Sequence, residues 1–276
     1  MRTLHLFRSL AVVSVALLAS ITAPAQSIGI GVSVNIAPPM LPVYAQPAVP
    51  GPGFLWAPGY WAWASEGYYW VPGSWVRAPR RGFLWTPGYW AFERDAYFWH
   101  GGYWGPHVGF YGGVNYGFGY FGAGYAGGYW NNGAFFYNRA CNTIGTTSIV
   151  NVYNKTVINN ISPTRVSFNG GSGTTARPTG TQLLAARESH LQPLPGQLPF
   201  KQRAASNRAF LATANHGAPT PTAVARLGQF SNRGSARANA NRVNRPSGFN
   251  GAGTDRPPTH SNPPPQGQAE RGARRP

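Results

Sequence analysis

The sequence predicts a mainly β fold: an antiparallel meander of short aromatic-rich hairpins, followed by a short helical segment and a disordered basic tail. Three observations carry this expectation. From Phe54 to Tyr137, 31 of 84 residues are Phe, Tyr or Trp, and all ten Trp of the chain fall in that window. The block Gly53-Phe-Leu-Trp-Ala-Pro-Gly-Tyr-Trp61 recurs 29 residues later as Gly82-Phe-Leu-Trp-Thr-Pro-Gly-Tyr-Trp90. Gly and Pro together make up 62 of 276 residues, about 22% against a usual total near 12%. This is not the composition of an ordinary cytosolic enzyme.

Residues 1–25 have the form of a secretory signal peptide. Arg2 and Arg8 flank a charged start, an apolar run extends from Leu10 to Ile21, and Ala23-Pro24-Ala25 offers a small-residue cleavage site before Gln26. The run is about a dozen residues, short of the roughly 20 that a spanning helix needs, and no later segment is long and apolar enough to cross a bilayer as a helix. Export is therefore expected. Cys141 is the sole cysteine, so no intramolecular disulfide can staple the exported chain and aromatic packing must do so instead.

Residues 26–52 combine one alternating stretch, Ile28 to Ile36, which reads as a strand, with a Pro-studded extended lead. Residues 53–106 hold four copies of one unit, because each long block contains a half-copy: Trp70-Val-Pro-Gly-Ser-Trp75 and Trp99-His-Gly-Gly-Tyr-Trp104. Pro followed by Gly at the centre of a four-residue turn favours type II, and aromatic or β-branched flanks favour strands. Each unit then reads as a hairpin around Pro-Gly, with Glu66-Gly67, Arg80-Arg81-Gly82 and Glu93-Arg94-Asp95 as connections. That register sets Trp56 opposite Trp61, Trp70 opposite Trp75, Trp85 opposite Trp90 and Trp99 opposite Trp104. The outer pairs are Phe54 with Trp63, Tyr68 with Arg77, Phe83 with Phe92 and Tyr97 with Pro106, on the same face. Smaller groups such as Leu55, Ala62, Val76, Leu84 and Ala91 take the other. One tension stands against it: type II turns twist against the right-handed twist of strands, and a wider loop would shift the pairing.

Residues 107–168 continue as a Gly/aromatic β region, expected to be ordered, with strands within Thr146 to Ile158 and Arg165 to Phe168. A linker at 169–180 precedes a helical segment at 181–217, whose main helix, Phe200 to Asn215, ends at Gly217. Residues 218–276 read as a disordered Arg-rich tail.

The doubled Trp-x-Pro-Gly-x-Trp with its intervening Gly-Tyr-Tyr-Trp resembles the YXWGXW (WXXGXW) repeat proteins, which are exported bacterial envelope proteins. Val32-Ser-Val-Asn-Ile-Ala-Pro-Pro, the stretch from Trp104 to Tyr116, and Ala214-Asn-His-Gly are similar too. The resemblance covers roughly residues 30 to 217 and implies a periplasmic or outer-surface location. It transfers no activity. His100-Gly101 departs from Pro-Gly in the fourth unit.

Composition excludes most chemistry. The chain has 6 acidic against 23 basic residues, a net charge of +17, and acid–base hydrolysis needs two positioned carboxylates. No G-x-S-x-G, H-E-x-x-H, phosphate loop or C-x-x-C occurs. No enzyme, cofactor or small-molecule substrate is expected, and no metal: His100 and His107, seven apart near Glu93 and Asp95, match no ligand spacing. Two binding readings remain beside a structural or adhesive role. Trp56, Trp61, Trp63, Tyr68, Trp70, Trp75, Trp85, Trp90, Trp99 and Trp104 form either a platform for the sugar rings of glycans or peptidoglycan, or the core of the domain. Exposure of Trp56, Trp61, Trp85 and Trp90 separates the two. The tail arginines, Arg226, Arg233, Arg237, Arg242, Arg245, Arg271, Arg274 and Arg275, suit polyanions such as anionic lipid, acidic glycan or nucleic acid.

Overall fold

Each long repeat folds as one hairpin bent at its middle. The computed structural model describes residues 32–145, 149–157 and 165–230; the expected signal peptide and the tail from residue 231 lie outside the described residues. After β1 (Ser33–Val34), the first repeat supplies β2 (Phe54–Ala57), β3 (Tyr60–Ala64), β4 (Gly67–Val71) and β5 (Gly73–Arg77). The second supplies β6 (Leu84–Thr86), β7 (Tyr89–Glu93), β8 (Ala96–His100) and β9 (Tyr103–Gly105). β3 pairs with β4, setting Trp61 opposite Trp70, and β2 pairs with β5, setting Trp56 opposite Trp75, in one continuous register. The second repeat copies this, with Trp90 opposite Trp99 and Trp85 opposite Trp104.

The tryptophans thus face each other across the fold as expected, but between units and not within them. Trp56–Trp61, Trp70–Trp75, Trp85–Trp90 and Trp99–Trp104 are not partners. The tight turns are Ser65-Glu66 and Arg94-Asp95. Arg94 and Asp95 both take positive φ, 49° and 61°, the primed geometry whose twist matches the flanking strands. Pro-Gly is a bend: proline has no N–H to give the ladder, so pairing lapses there and resumes beyond. The outer pairs move accordingly. Phe54 faces Arg77, whose guanidinium sits 4.8 Å from the ring centre; Trp63 faces Tyr68 and Phe92 faces Tyr97.

The glycines of the bends supply space. None of Gly59, Gly73, Gly88 and Gly102 has positive φ. A Cβ on Gly73 would stand 2.6 Å from Cζ2 of Trp56 and 2.9 Å from the backbone N of Gly59. A Cβ on Gly59 would overlap Cζ2 of Trp70 and stand 2.8 Å from the backbone N of Gly73. Gly88 and Gly102 relate to Trp99 and Trp85 in the same way. Each Trp-x-x-Gly-x-Trp unit therefore lays its first indole over the glycine of the partner unit, which explains the spacing from tryptophan to glycine.

The Gly/aromatic stretch is ordered as expected. It forms two hairpins, β10 (Asn115–Gly117) with β11 (Tyr120–Phe121) and β12 (Gly128–Asn131) with β13 (Ala134–Asn138). The later strands are two residues each and join in parallel: β14 (Val152–Tyr153) on β13, and β15 (Phe168–Asn169) on β7. β1 closes the other edge, against β8. Helix α1 (Gly180–Ala185) starts at a capping box between Thr179 and Gln182. The single helix expected over Phe200 to Asn215 is instead divided into α2 (Gln197–Ala205), a 3₁₀ turn at Arg208–Phe210 and α3 (Ala212–Asn215). The break falls where Asn207 turns its side chain back to accept from the Ala209 N–H. His216, at φ 50°, takes the left-handed cap ahead of Gly217.

The expected tail also begins too early. Residues 218–230 belong to the fold: β16 (Ala223–Val224) runs parallel to β5, Thr222 is fully buried, and Phe230 stacks on Phe200 with ring centres 4.9 Å apart. Deleting 231–276 is expected to leave the melting temperature within about 2 °C. Deleting 218–276 strips β16 from β5 and should lower it by roughly 10 °C, at about 2 to 4 °C per kcal/mol for a domain of this size. Thermal unfolding followed by circular dichroism distinguishes the two boundaries.

Aromatic polar ends tie the core together. The indole N–H of Trp61 donates to the Met40 carbonyl (3.1 Å), that of Trp75 to Pro47 (2.8 Å), and the Tyr68 hydroxyl to Ile36 (2.7 Å). The Pro-rich lead, poor in backbone donors of its own, is thereby fastened to the first repeat. Trp90 donates to the Trp61 carbonyl at 2.8 Å and joins the two hairpins.

Candidate functional site

The expected aromatic face is the core. Of its ten members, Trp56, Trp61, Tyr68, Trp70, Trp75, Trp85, Trp90 and Trp104 are buried, and the four deciding rings, Trp56, Trp61, Trp85 and Trp90, are 0, 1, 7 and 2% exposed. Trp63 and Trp99 are half-buried. The rings meet one another edge-on or tilted at 5.2 to 5.4 Å across the strand pairs. A domain with so few Leu, Ile and Val among its strands uses tryptophan as its filling. The sugar platform on this face is therefore corrected: a ligand cannot reach rings that are buried against one another.

An open site exists elsewhere, where the bends of the two hairpins converge. A cleft of about 240 Å³ lies among Pro58, Pro72, Pro87 and Gly102, walled by Tyr60 and Trp99 and closed by α2 through Leu198 and Lys201. Tyr60 and Trp99 stack nearly parallel, 4.9 Å apart at 17°. The proline rings make the floor rigid. Burial lowers the affinity of the Lys201 amine for its proton, and no carboxylate pairs with it among the described residues. Sequence reasoning reached Trp99 but missed Tyr60, the prolines and Lys201 as one site.

Other expected site residues are dispersed. Arg226 is exposed, but its guanidinium lies 5.4 Å from the Phe54 ring and reaches the Pro50 carbonyl at 3.5 Å, so it belongs to the fold. Arg233, Arg237, Arg242, Arg245, Arg271, Arg274 and Arg275 lie outside the described residues. His100 sits 3.6 Å from Glu93 and stacks on Tyr89, whereas His107 pairs with Glu188 at 2.7 Å. Cys141 is buried, accepts from the Asn138 amide at 3.4 Å, and burial pushes its thiol up to about 11.

Buried phenols dominate the titration of the fold. Desolvation raises Tyr69, Tyr89 and Tyr137 to about 12 from the ordinary 10, and raises Tyr44, Tyr60, Tyr111 and Tyr116 further. In the unfolded chain these groups release protons near pH 10, while the folded chain still holds them. Stability is therefore complete below about pH 10 and falls as pH rises through 12. Tyrosinate absorbance should rise in one cooperative step together with loss of the β signal, not by independent titration.

The fold defines a class, a protein built on paired aromatic hairpins with glycine-spaced tryptophans. Comparison with known families finds one match: the WXXGXW repeat, in two copies, over residues 51–76 and 80–104. Each copy coincides with one bent hairpin. No curated protein and no solved structure matches the chain.

Proposed function

We propose that this is a non-enzymatic, exported protein of the bacterial cell envelope, with a structural or adhesive binding role in which the WXXGXW hairpins are scaffold and the cleft between their bends is the contact site. The observation that supports this reading is the division of labour among the aromatics: nine rings of the repeat are consumed in the core, while Tyr60 and Trp99 remain half-buried at an open cleft. Partners of this kind are peptidoglycan, another envelope glycan or an anionic surface. Cell fractionation with pull-downs on peptidoglycan, membranes and polyanions tests it. Retention in the envelope fraction and on one matrix is expected; a chain that stays in the cytosol and binds none of them refutes the reading. The polyanion alternative falls to the arginines beyond residue 231, since Arg226 is engaged in the fold. It predicts that retention on anionic matrices drops steeply with salt and disappears when 231–276 is deleted.

A further inference from the structure

We infer that the cleft takes a proline-containing peptide segment, which docks by giving one backbone carbonyl to the indole N–H of Trp99 and the amide N–H of Gly102. This deepens the binding role proposed above and rests on it only for the biological setting. The two repeats are copies of each other. In the first repeat the bend is covered: the Thr222 carbonyl accepts from the Trp70 indole N–H at 2.9 Å and from the Gly73 amide at 3.2 Å. The segment that brings it, Thr220-Pro221-Thr222, leads into β16, which runs parallel to β5.

The register makes Trp99 and Gly102 the counterparts of Trp70 and Gly73. Local geometry agrees. Trp70 lays Cζ2 against Gly59, Trp99 lays Cζ2 against Gly88, and each bend brings its two glycine backbones together in the same way. The Trp99 indole N–H and the Gly102 N–H therefore converge as their counterparts do, and neither has an acceptor among the described residues. Both residues line the cleft. The reason no internal segment fills it is visible at β9: Leu191 and Trp104 exchange backbone hydrogen bonds at 2.8 and 2.9 Å. Two residues on, Pro193 has no N–H to continue that ladder, and the chain leaves for α2. The second repeat thus keeps the donor pair of the first without the strand that covers it.

The occupant follows from the first repeat's own. A backbone carbonyl satisfies both donors, as that of Thr222 does in the first repeat, and a proline ring matches the proline and aromatic walls. The test uses the full chain labelled with ¹⁵N and a capped synthetic peptide of residues 218–227. Titration is expected to shift the Trp99 indole and Gly102 amide resonances downfield, and Trp99→Phe, which keeps a ring but loses the donor, should weaken binding about tenfold. Shifts confined to Trp70 and Gly73 would show exchange with the internal segment and overturn the proposal. So would an absence of shifts at millimolar peptide, binding unchanged in Trp99→Phe, or shifts produced by sodium acetate and not by peptide, which would assign the cleft to a free anion.

Discussion

Replacing Gly59 or Gly73 with alanine is expected to cost on the order of 3 kcal/mol, a large part of the 5 to 15 kcal/mol that a domain has in total. Neither glycine is there for its backbone angle. At Gly73 the added methyl would meet Trp56 Cζ2 at 2.6 Å and the backbone N of Gly59 at 2.9 Å. The indole cannot retreat, because Trp56 is fully buried against Trp75, and the opposing contact is main chain. The two hairpin arms must separate, which loosens both Trp pairs flanking the bend. Gly101→Ala is the control. It occupies the same bend in the second repeat with nothing within 4 Å of its Cβ position, and should change stability by less than about 0.5 kcal/mol. Urea unfolding of the three variants gives the comparison, and similar losses at Gly73 and Gly101 would refute the packing explanation.

Trp70→Ala should be the most damaging of the aromatic truncations, at about 3 to 5 kcal/mol. Its ring is fully buried, lies edge-on to Trp61 at 5.2 Å, and fills the space above Gly59. Its N–H also holds the Thr222 carbonyl at 2.9 Å. Truncation therefore leaves a cavity and takes away one of the two donors to that carbonyl, costs that add because they act on different groups. Trp70→Phe separates them: most of the ring stays while the donor goes, so a loss of about 1 to 3 kcal/mol is expected. Hydrogen exchange of the Gly73 amide, which shares the Thr222 acceptor, should quicken in both variants if the indole fastens that segment.

Much of the fold was legible in residues, and the errors have two causes. The aromatic window, the repeat and the opposition of tryptophans across strands all follow from composition and spacing. The partner assignment does not, because Trp-x-x-Gly-x-Trp units are interchangeable: Trp56 meets a tryptophan whether it pairs with Trp61 or Trp75. Turn chemistry breaks that tie. A Pro-Gly hairpin must twist against its strands, whereas Arg94-Asp95 reaches positive φ at both positions, aspartate tolerating it and arginine carried along. β16 was unreadable for another reason: a strand of two residues shows no alternation, and it is ordered by a strand some 150 positions earlier. The cleft fails the same way. Trp104 reaches Gln197 on α2 at 3.0 Å, so the elements that enclose the site come from distant parts of the chain.

Each WXXGXW copy is one bent hairpin with its first and last tryptophans paired. Indole-to-indole nuclear Overhauser effects measure it directly in the intact chain. Cross-peaks between Trp56 and Trp75, Trp61 and Trp70, Trp85 and Trp104, and Trp90 and Trp99 are predicted, from ring centres 5.2 to 5.4 Å apart. Strong cross-peaks within the units instead, Trp56 to Trp61 and Trp85 to Trp90, without those four, would contradict it.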